Sequence, residues 1–170
     1  MSNEDKYLDR QYINIVRDIL DNKEFDKMSE IVHHGLDRKG HSLRVSYYSY
    51  RVAKLLGLDY QGAARAGLLH DFFFENNQKS NMPKRLKTLV EHPNYALDNA
   101  MKYFDLTEVE KDIIQSHMFP IGIKLPRYAE GWLVNFVDDV VAINEVVYKT
   151  RTKLSYAFNF LLILMFTYIR

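Results

Sequence analysis

His70 and Asp71 are adjacent side chains that can both bind a metal ion, and they follow a helical run rich in glycine and alanine, residues 62–67. A carboxylate beside an imidazole at the end of a packed helix is costly to bury unless both groups have partners. Adjacent residues cannot close a metal site by themselves, so the other ligands must come from elsewhere in the chain. Four candidates recur at helix-sized intervals on both sides of the pair: His41, His92, His117 and Asp138.

Asp138 lies within an apolar segment that runs from Trp132 to Ile143. A lone ionised aspartate in such a segment costs free energy unless it is paired or bound to a metal. Its neighbour Asp139 is expected to face solvent. Since a single histidine is more often a structural or surface residue than a ligand, the adjacent His33 and His34, in a polar stretch, are given no function.

The six candidate ligands are imidazoles and carboxylates, which suit manganese, iron, zinc, nickel or cobalt better than calcium. Helical bundles form cofactor sites by projecting such side chains inward from facing helices. Six ligands exceed what one tetrahedral zinc ion needs, so the set predicts two divalent transition-metal ions. Two ions about 3.5–4 Å apart need a bridging carboxylate, and Asp71 is the residue expected to bridge them.

The composition limits the number of domains, the partners and the kinds of site that the chain can have. A chain of 170 residues with 47% hydrophobic and 26% charged residues predicts one domain, residues 1–170, with a sizeable core. A formal net charge of +1 gives no field that favours nucleic acid as a partner. The absence of cysteine excludes disulfides, thiolate metal sites and a cysteine nucleophile. The charged N-terminal stretch is unlike a secretory signal, so a cytoplasmic location is expected.

Few glycines and prolines interrupt the chain, which favours an all-α fold. Apolar spacing predicts helices over Asp9–Leu20 and Phe25–Ile31, followed by a polar loop, His33–Gly40. His41 is expected to open a helix that Gly57 ends. The positions of that helix expected to face the core are Val45, Tyr48, Val52, Leu55 and Leu56.

The second half of the chain continues this pattern. A polar loop, Glu75–Pro83, should border the site and be mobile. Pro93 is expected at the first position of a helix that runs to Phe104 and buries Ala96, Leu97, Ala100, Met101 and Phe104. Thr107 and Glu110 form a capping-box pattern before a helix that ends at Ser116–His117. A loop, Met118–Arg127, then precedes a helix over Ala129–Tyr148.

The C-terminal stretch from Tyr156 to Ile169 is almost entirely apolar. As a helix, the last 15 residues would span about 22 Å, less than the roughly 30 Å of a bilayer core, so no transmembrane span is predicted. Two alternatives follow: a final helix packed on the bundle, or an apolar patch that makes a homodimer or membrane-surface contact.

The order His41, His70–Asp71 and Asp138 resembles the H…HD…D pattern of the HD-domain metal-dependent phosphohydrolases. The segments HSLRVSYYSYRVAKLLGLD, AARAGLLHD and NFVDDVVAINE are similar to the motif helices of that family, over roughly residues 30–150. His92 in EHP and His117 in QSH are similar to the two extra histidines of binuclear members, such as the HD-GYP cyclic-dinucleotide phosphodiesterases. The resemblance implies an all-α HD-domain bundle that binds metal through these six residues.

The resemblance also implies a metal-dependent phosphohydrolase that cleaves a phosphoester bond of a small molecule, a nucleotide or dinucleotide, through a metal-activated water. The sequence departs from the family in two places. The lysine that many members carry soon after the HD pair is missing, the nearest being Lys79, and the GYP signature is absent after His117. Residues 41–71 also resemble the bacterial hydrolases of symmetrical diadenosine tetraphosphate, which leaves a nucleotide substrate open.

The phosphate-binding residue is sought among the basic side chains. Arg44 lies one helical turn after His41 and is the best-placed phosphate clamp and catalytic partner of Asp71, with Lys79 and Lys84 as weaker candidates. The rival hypothesis is a non-catalytic nucleotide-sensing or helical interaction module with a residual metal site. The presence of all six ligands favours an active enzyme, since a degenerate module is expected to have lost one.

Overall fold

The computed structural model describes residues 9–30, 32–33, 36–74 and 84–168 of the chain. Across these ranges the fold is all-α, as predicted, apart from a two-stranded antiparallel hairpin of β1 (Val32–His33) and β2 (Leu36–Asp37). A short 3-10 helix, Lys27–Glu30, precedes the hairpin. The described α-helices are α1 (Arg10–Leu20), α2 (Lys23–Asp26), α3 (Arg38–Leu56), α4 (Tyr60–Leu69), α5 (Lys84–Tyr103), α6 (Glu108–Ser116) and α7 (Ala129–Tyr168).

The chain divides into two compact units, Met1–Asp138 and Asp139–Arg170. All six candidate ligands belong to the first unit. Its core includes α1 and the helices from α3 to α6, and among the described elements α3 and α4 make the most extensive contact with each other. Phe25, Met28 and Val134 add fully buried side chains from α2, the 3-10 helix and α7.

Helix α1 begins where the sequence predicts. Asp9 caps it by accepting hydrogen bonds from the backbone N–H groups of Gln11 and Tyr12. Its buried face carries Tyr12, Val16 and Ile19. The helix predicted over Phe25–Ile31 is α2 followed by the 3-10 turn, and residue 31 lies outside the described residues.

Helix α3 begins at Arg38, three residues earlier than predicted. The prediction that His41 opens the helix is therefore wrong, and Gly40 lies within the first turn. The hairpin of β1 and β2 replaces part of the predicted loop. Gly57 does end α3, with a positive φ of 70° that a glycine adopts without steric cost.

The buried face of α3 also differs from the predicted one. Leu55 and Leu56 are exposed, whereas Ser42, Ser46 and Ser49 are buried. The buried hydroxyls are tolerated where they have partners: Tyr12 donates to Ser46 Oγ at 2.8 Å, which donates to the Ala64 carbonyl at 2.6 Å. An apolar periodicity count misses this face because it assigns hydroxyl residues to the surface.

Helix α4 approaches α3 closely because its buried residues are small. Asp59 caps α4 by accepting from the Gly62 N–H. A Cβ atom at Gly67 would lie 3.1 Å from the Ser46 Cα atom of α3, so a side chain at this position would push the two helices apart. This close approach brings the start of α3 and the end of α4, with His41 and His70, to the same place.

Helix α5 runs without interruption from Lys84 to Tyr103, with Pro93 inside it. The predicted helix start at Pro93 is wrong, since the helix already exists before the proline and continues through it. Ala96, Leu97 and Ala100 are buried as predicted, but Met101 is 47% exposed. The predicted loop, residues 75–83, lies outside the described residues.

Helix α6 begins with the predicted capping box. The Thr107 side chain accepts from the Glu110 N–H, and the Glu110 carboxylate accepts from the Thr107 N–H. The same carboxylate accepts from Arg65 Nε of α4 at 2.8 Å, which fixes α6 against α4. The predicted loop, residues 118–127, follows, and buried Asp112 holds its far end by accepting from Arg127 N–H and Nε.

Helix α7 begins at Ala129 as predicted but does not end at Tyr148, because the apolar C-terminal stretch continues the same helix to Tyr168. In the second unit, several apolar side chains are exposed, among them Ile143, Val147, Leu154 and Tyr156. The side chains of residues 157–168 are outside the described set. Their packing on the bundle and their role in a homodimer both stay predictions.

None of the helices that the structure describes is long and apolar enough to cross a membrane.

Candidate metal centre

The six candidate ligands converge in one cluster in the first unit. Three overlapping groups have ligand atoms within 4.8 Å of one another. The groups are His41, His70 and Asp71; His70, His117 and Asp138; and Asp71, His92 and His117. Each helix from α3 to α7 contributes, with His70 and His117 at the C-caps of α4 and α6.

One side of the cluster, the carboxylate-rich half, consists of His41, His70 and Asp138. His41 Nε2 lies 2.8 Å from Asp138 Oδ1, and His70 Nε2 lies 3.6 Å from the same oxygen. Ligand atoms that bind one ion at 2.0–2.2 Å are separated by about 2.8–3.6 Å. Both distances fall within this range, and the shorter one is also that of a hydrogen bond between His41 and Asp138.

The other side, the imidazole half, consists of His92 and His117. Their Nε2 atoms are 2.9 Å apart, and both residues are buried. Two nitrogen atoms this close must share a proton or face the same cation. The His70 and His117 rings, with centroids 5.0 Å apart, place the two halves side by side.

Asp71 lies between the two halves and directs one oxygen to each. Its Oδ2 atom is 3.7 Å from His70 Nε2. Its Oδ1 atom is 3.3 Å from His92 Nε2 and 3.8 Å from His117 Nε2. The carboxylate is thus shared between the halves.

The backbone sets the tautomers of two of the histidines. His70 Nδ1 lies 2.9 Å from the Gly67 carbonyl oxygen, and His117 Nδ1 lies 2.8 Å from that of Ile114. A carbonyl oxygen only accepts, so each Nδ1 carries the hydrogen and donates it. In a neutral ring this leaves the Nε2 lone pair directed at the cluster, which is the usual arrangement of a metal-binding histidine with a carbonyl partner.

His70 Nε2 shows most directly that the site suits a cation. This atom is buried and makes no hydrogen bond among the described residues. Its nearest charged neighbours are carboxylate oxygens of Asp71 and Asp138. A buried polar atom without a hydrogen bond is costly, and a cation between it and the two oxygens would remove that cost.

The electrostatics of the cluster favour the ionised form of its two carboxylates. Burial raises the pKa of Asp71, but the neighbouring His70, His92 and His117 outweigh burial and hold that pKa well below its usual value. The pKa of Asp138 is lowered in the same way, chiefly by His70 and His41 against the effect of burial.

Burial, reinforced by the nearby His70 and His92, lowers the pKa of His117 to about 4. His117 is therefore neutral at neutral pH, so its Nε2 lone pair is available. A metal ion at this position would not have to displace a proton from His117.

The segment that follows Asp71 is fixed from both sides. Arg38 of α3 donates to the Phe73 carbonyl at 2.6 Å, and its guanidinium lies 4.1 Å from the centre of the Phe73 ring. Phe73 in turn packs on the His92 ring, with centroids 5.0 Å apart. Asn99 of α5 donates to the Phe72 carbonyl at 3.2 Å. Sequence reasoning missed these residues because no ligand chemistry marks them.

The structure describes the side chain of only one of the three candidate phosphate-binding residues. Arg44 is half-buried on α3, one turn after His41, and its role as a clamp stays a prediction. Lys79 lies outside the described residues, and Lys84 begins α5 without a described side chain.

Asn135 is a further residue that the sequence prediction missed. The signal for it was a polar side chain in an apolar run, one turn before Asp138.

Comparisons of the chain with family models, with curated proteins and with solved structures found no match.

Proposed function

We propose that the protein is an HD-type metal-dependent phosphohydrolase that cleaves a phosphoester bond of a nucleotide or dinucleotide. The observation that carries the proposal is the position of Asp71, whose two oxygens face different halves of a buried histidine cluster. This arrangement fits a carboxylate that bridges two ions. The order of the ligands along the chain, with the HD pair in the middle, supports the same reaction class.

The six residues would form two sets of ligands, one set for each ion. His41, His70 and Asp138 would hold one, His92 and His117 the other, and Asp71 would bind both. Imidazole and carboxylate ligands suit manganese or iron, with zinc, nickel and cobalt as alternatives. When bound, the ions supply a water of lowered pKa as the nucleophile and positive charge for the phosphoryl oxygens.

The chain itself contributes orientation and charge. Asp71 and Asp138 are ionised at neutral pH, because their pKa values are lowered. The backbone carbonyls of α4 and α6 orient His70 and His117 before any ligand binds. Arg44 is the candidate to bind a phosphate oxygen, one turn from His41. Preorganised charge of this kind is usually the largest part of such a rate enhancement.

The test is to supply the purified protein with Mn²⁺ or Fe²⁺, count the bound metal, and screen a panel of nucleotide and dinucleotide phosphoesters for hydrolysis. Two bound equivalents with turnover of at least one phosphoester would support the proposal. Tight nucleotide binding without turnover at any metal loading would instead favour the non-catalytic nucleotide-sensing module.

A further inference from the structure

Asn135 makes two hydrogen bonds next to the cluster. It is half-buried on α7, one turn before Asp138. Its Nδ2 atom donates to the His117 carbonyl at 2.5 Å and to the Phe119 carbonyl at 2.7 Å. Since both partners are carbonyl oxygens, only the NH2 end of the amide can face them, and both of its hydrogens are used.

The two carbonyls lie where α6 ends and the chain turns into the loop before α7. The His117 carbonyl is among the last carbonyls of α6, which have no partner within the helix. The ring of His117 is oriented inside α6, through its bond to the Ile114 carbonyl. That bond cannot fix where the end of α6 lies relative to the other helices. Asn135 joins this helix end directly to the helix that carries Asp138.

We propose that Asn135 is a positioning residue that holds His117 at metal-binding distance from Asp71 and His92. Asn135 does not touch the ion or the substrate; it acts through the backbone of His117. The inference rests on the proposed function only in taking the cluster as a metal site. Loss of the amide donors would free the end of α6 and weaken the imidazole half more than the carboxylate-rich half.

The first experiment is a Mn²⁺ titration of the full chain with Asn135→Asp, which keeps the shape of the side chain but replaces both donors with an acceptor. A change in a residue that orients a ligand typically lowers metal affinity by about 10–100-fold. We expect this loss of affinity for one of the two bound Mn²⁺ ions and an unchanged affinity for the other. The matched control is Asn144→Asp on the same helix, whose amide donates to the Val140 carbonyl at 2.9 Å and should leave both affinities unchanged.

A double-mutant cycle shows whether Asn135 acts through His117. In a His117→Gln background, Asn135→Asp should cause no further loss of Mn²⁺ affinity. If Asn135→Asp does not fold, as judged by circular dichroism of the metal-free protein, Asn135→Ser replaces it in the same titration. The serine hydroxyl restores one donor, so an intermediate loss is expected.

Two results would overturn the inference. One is a lower melting temperature of the Asn135 variants with wild-type Mn²⁺ affinity, which means a structural role alone. The other is an equal loss of affinity with and without His117. Wild-type protein that binds Mn²⁺ but hydrolyses no phosphoester would remove the proposed function and leave this test intact.

Discussion

The two halves of the histidine cluster differ in charge. The carboxylate-rich half has Asp138 as an acid of its own, 2.8 Å from His41. The imidazole half has two histidines with Nε2 atoms 2.9 Å apart and no carboxylate of its own. Among the described residues, the only carboxylate within 4.8 Å of both histidines is Asp71, which this half shares with the other. A cation in the first half would therefore lie near two carboxylates, Asp138 and Asp71, and a cation in the second half would lie near Asp71 alone among the described carboxylates.

This difference predicts an order of metal binding. Opposite charge stabilises a buried cation strongly because the surroundings screen it little. The carboxylate-rich half should therefore bind the first ion more tightly, and a chelator should empty the imidazole half first. Substitutions that touch one half, or the residue common to both, can separate these contributions.

Asp71→Ala should have the largest effect, because it removes the carboxylate that both halves share. We expect loss of bound metal and a fall in hydrolysis by about a thousandfold or more, as for the loss of several kcal/mol of charge stabilisation. Metal analysis and the rate with the best phosphoester measure the two effects. The matched control is Asp98→Ala, an exposed aspartate on α5. Full metal content and full activity in Asp71→Ala would contradict the bridging role.

The double substitution His92→Ala with His117→Ala should affect the imidazole half only. We expect the metal content to fall from two equivalents to about one, with the remaining ion in the carboxylate-rich half. The control replaces His33 and His34, the adjacent histidine pair to which the sequence analysis gives no function. One equivalent in the wild type, unchanged in the double variant, would show a mononuclear site with two structural histidines.

The metal-free protein should lose stability in mild acid through His117. Its pKa is about 4 when folded, below the usual value of 6.5, so the unfolded chain binds more protons between these values. The free energy of unfolding therefore increases with pH through that window. On going down from pH 7 to pH 5 it should decrease by about 2 kcal/mol. Chemical unfolding with a chelator present measures it. His117→Gln should lose most of this pH dependence, and an unchanged pH profile would contradict the assignment.

Gly67→Ala should have the smallest effect and should act on the carboxylate-rich half. The new Cβ would lie 3.1 Å from Ser46 Cα, so α3 and α4 must separate slightly. Overpacking costs about 1–3 kcal/mol, and the better helix propensity of alanine returns roughly 1, so a net loss of about 1 kcal/mol is expected. Thermal unfolding measures this loss. A melting temperature at or above the wild type would show that the helices adjust freely.

Local signals in the sequence predicted several elements correctly. The capping box of Thr107 and Glu110, the end of α3 at Gly57 and the start of α7 at Ala129 depend on neighbouring residues only. The candidate ligands could also be found, because histidine and aspartate in apolar surroundings are costly without partners. Their convergence depends on helix packing that the spacing alone does not determine.

Features that depend on tertiary contacts were not predictable in this way. The serines of α3 are buried, in the case of Ser46 because Tyr12 and the Ala64 carbonyl supply partners from other helices. Pro93 lies inside α5, where a sequence rule places a helix start. Asn135 and Arg38 donate to backbone carbonyls 18 and 35 residues away in the chain, so the sequence can mark Asn135 as unusual in its apolar run but cannot identify the partner of either residue.

The bonds from His70 and His117 to carbonyls three residues earlier have a consequence for assembly. A contact over three residues closes a very short loop, so its entropic cost is small and it can form while the helix itself forms. Each ring can therefore take its orientation before the helices pack together. Metal binding would then have to order fewer side-chain rotamers, because the bond within one helical turn has already oriented each ring. The loss of conformational entropy on binding would be smaller for that reason.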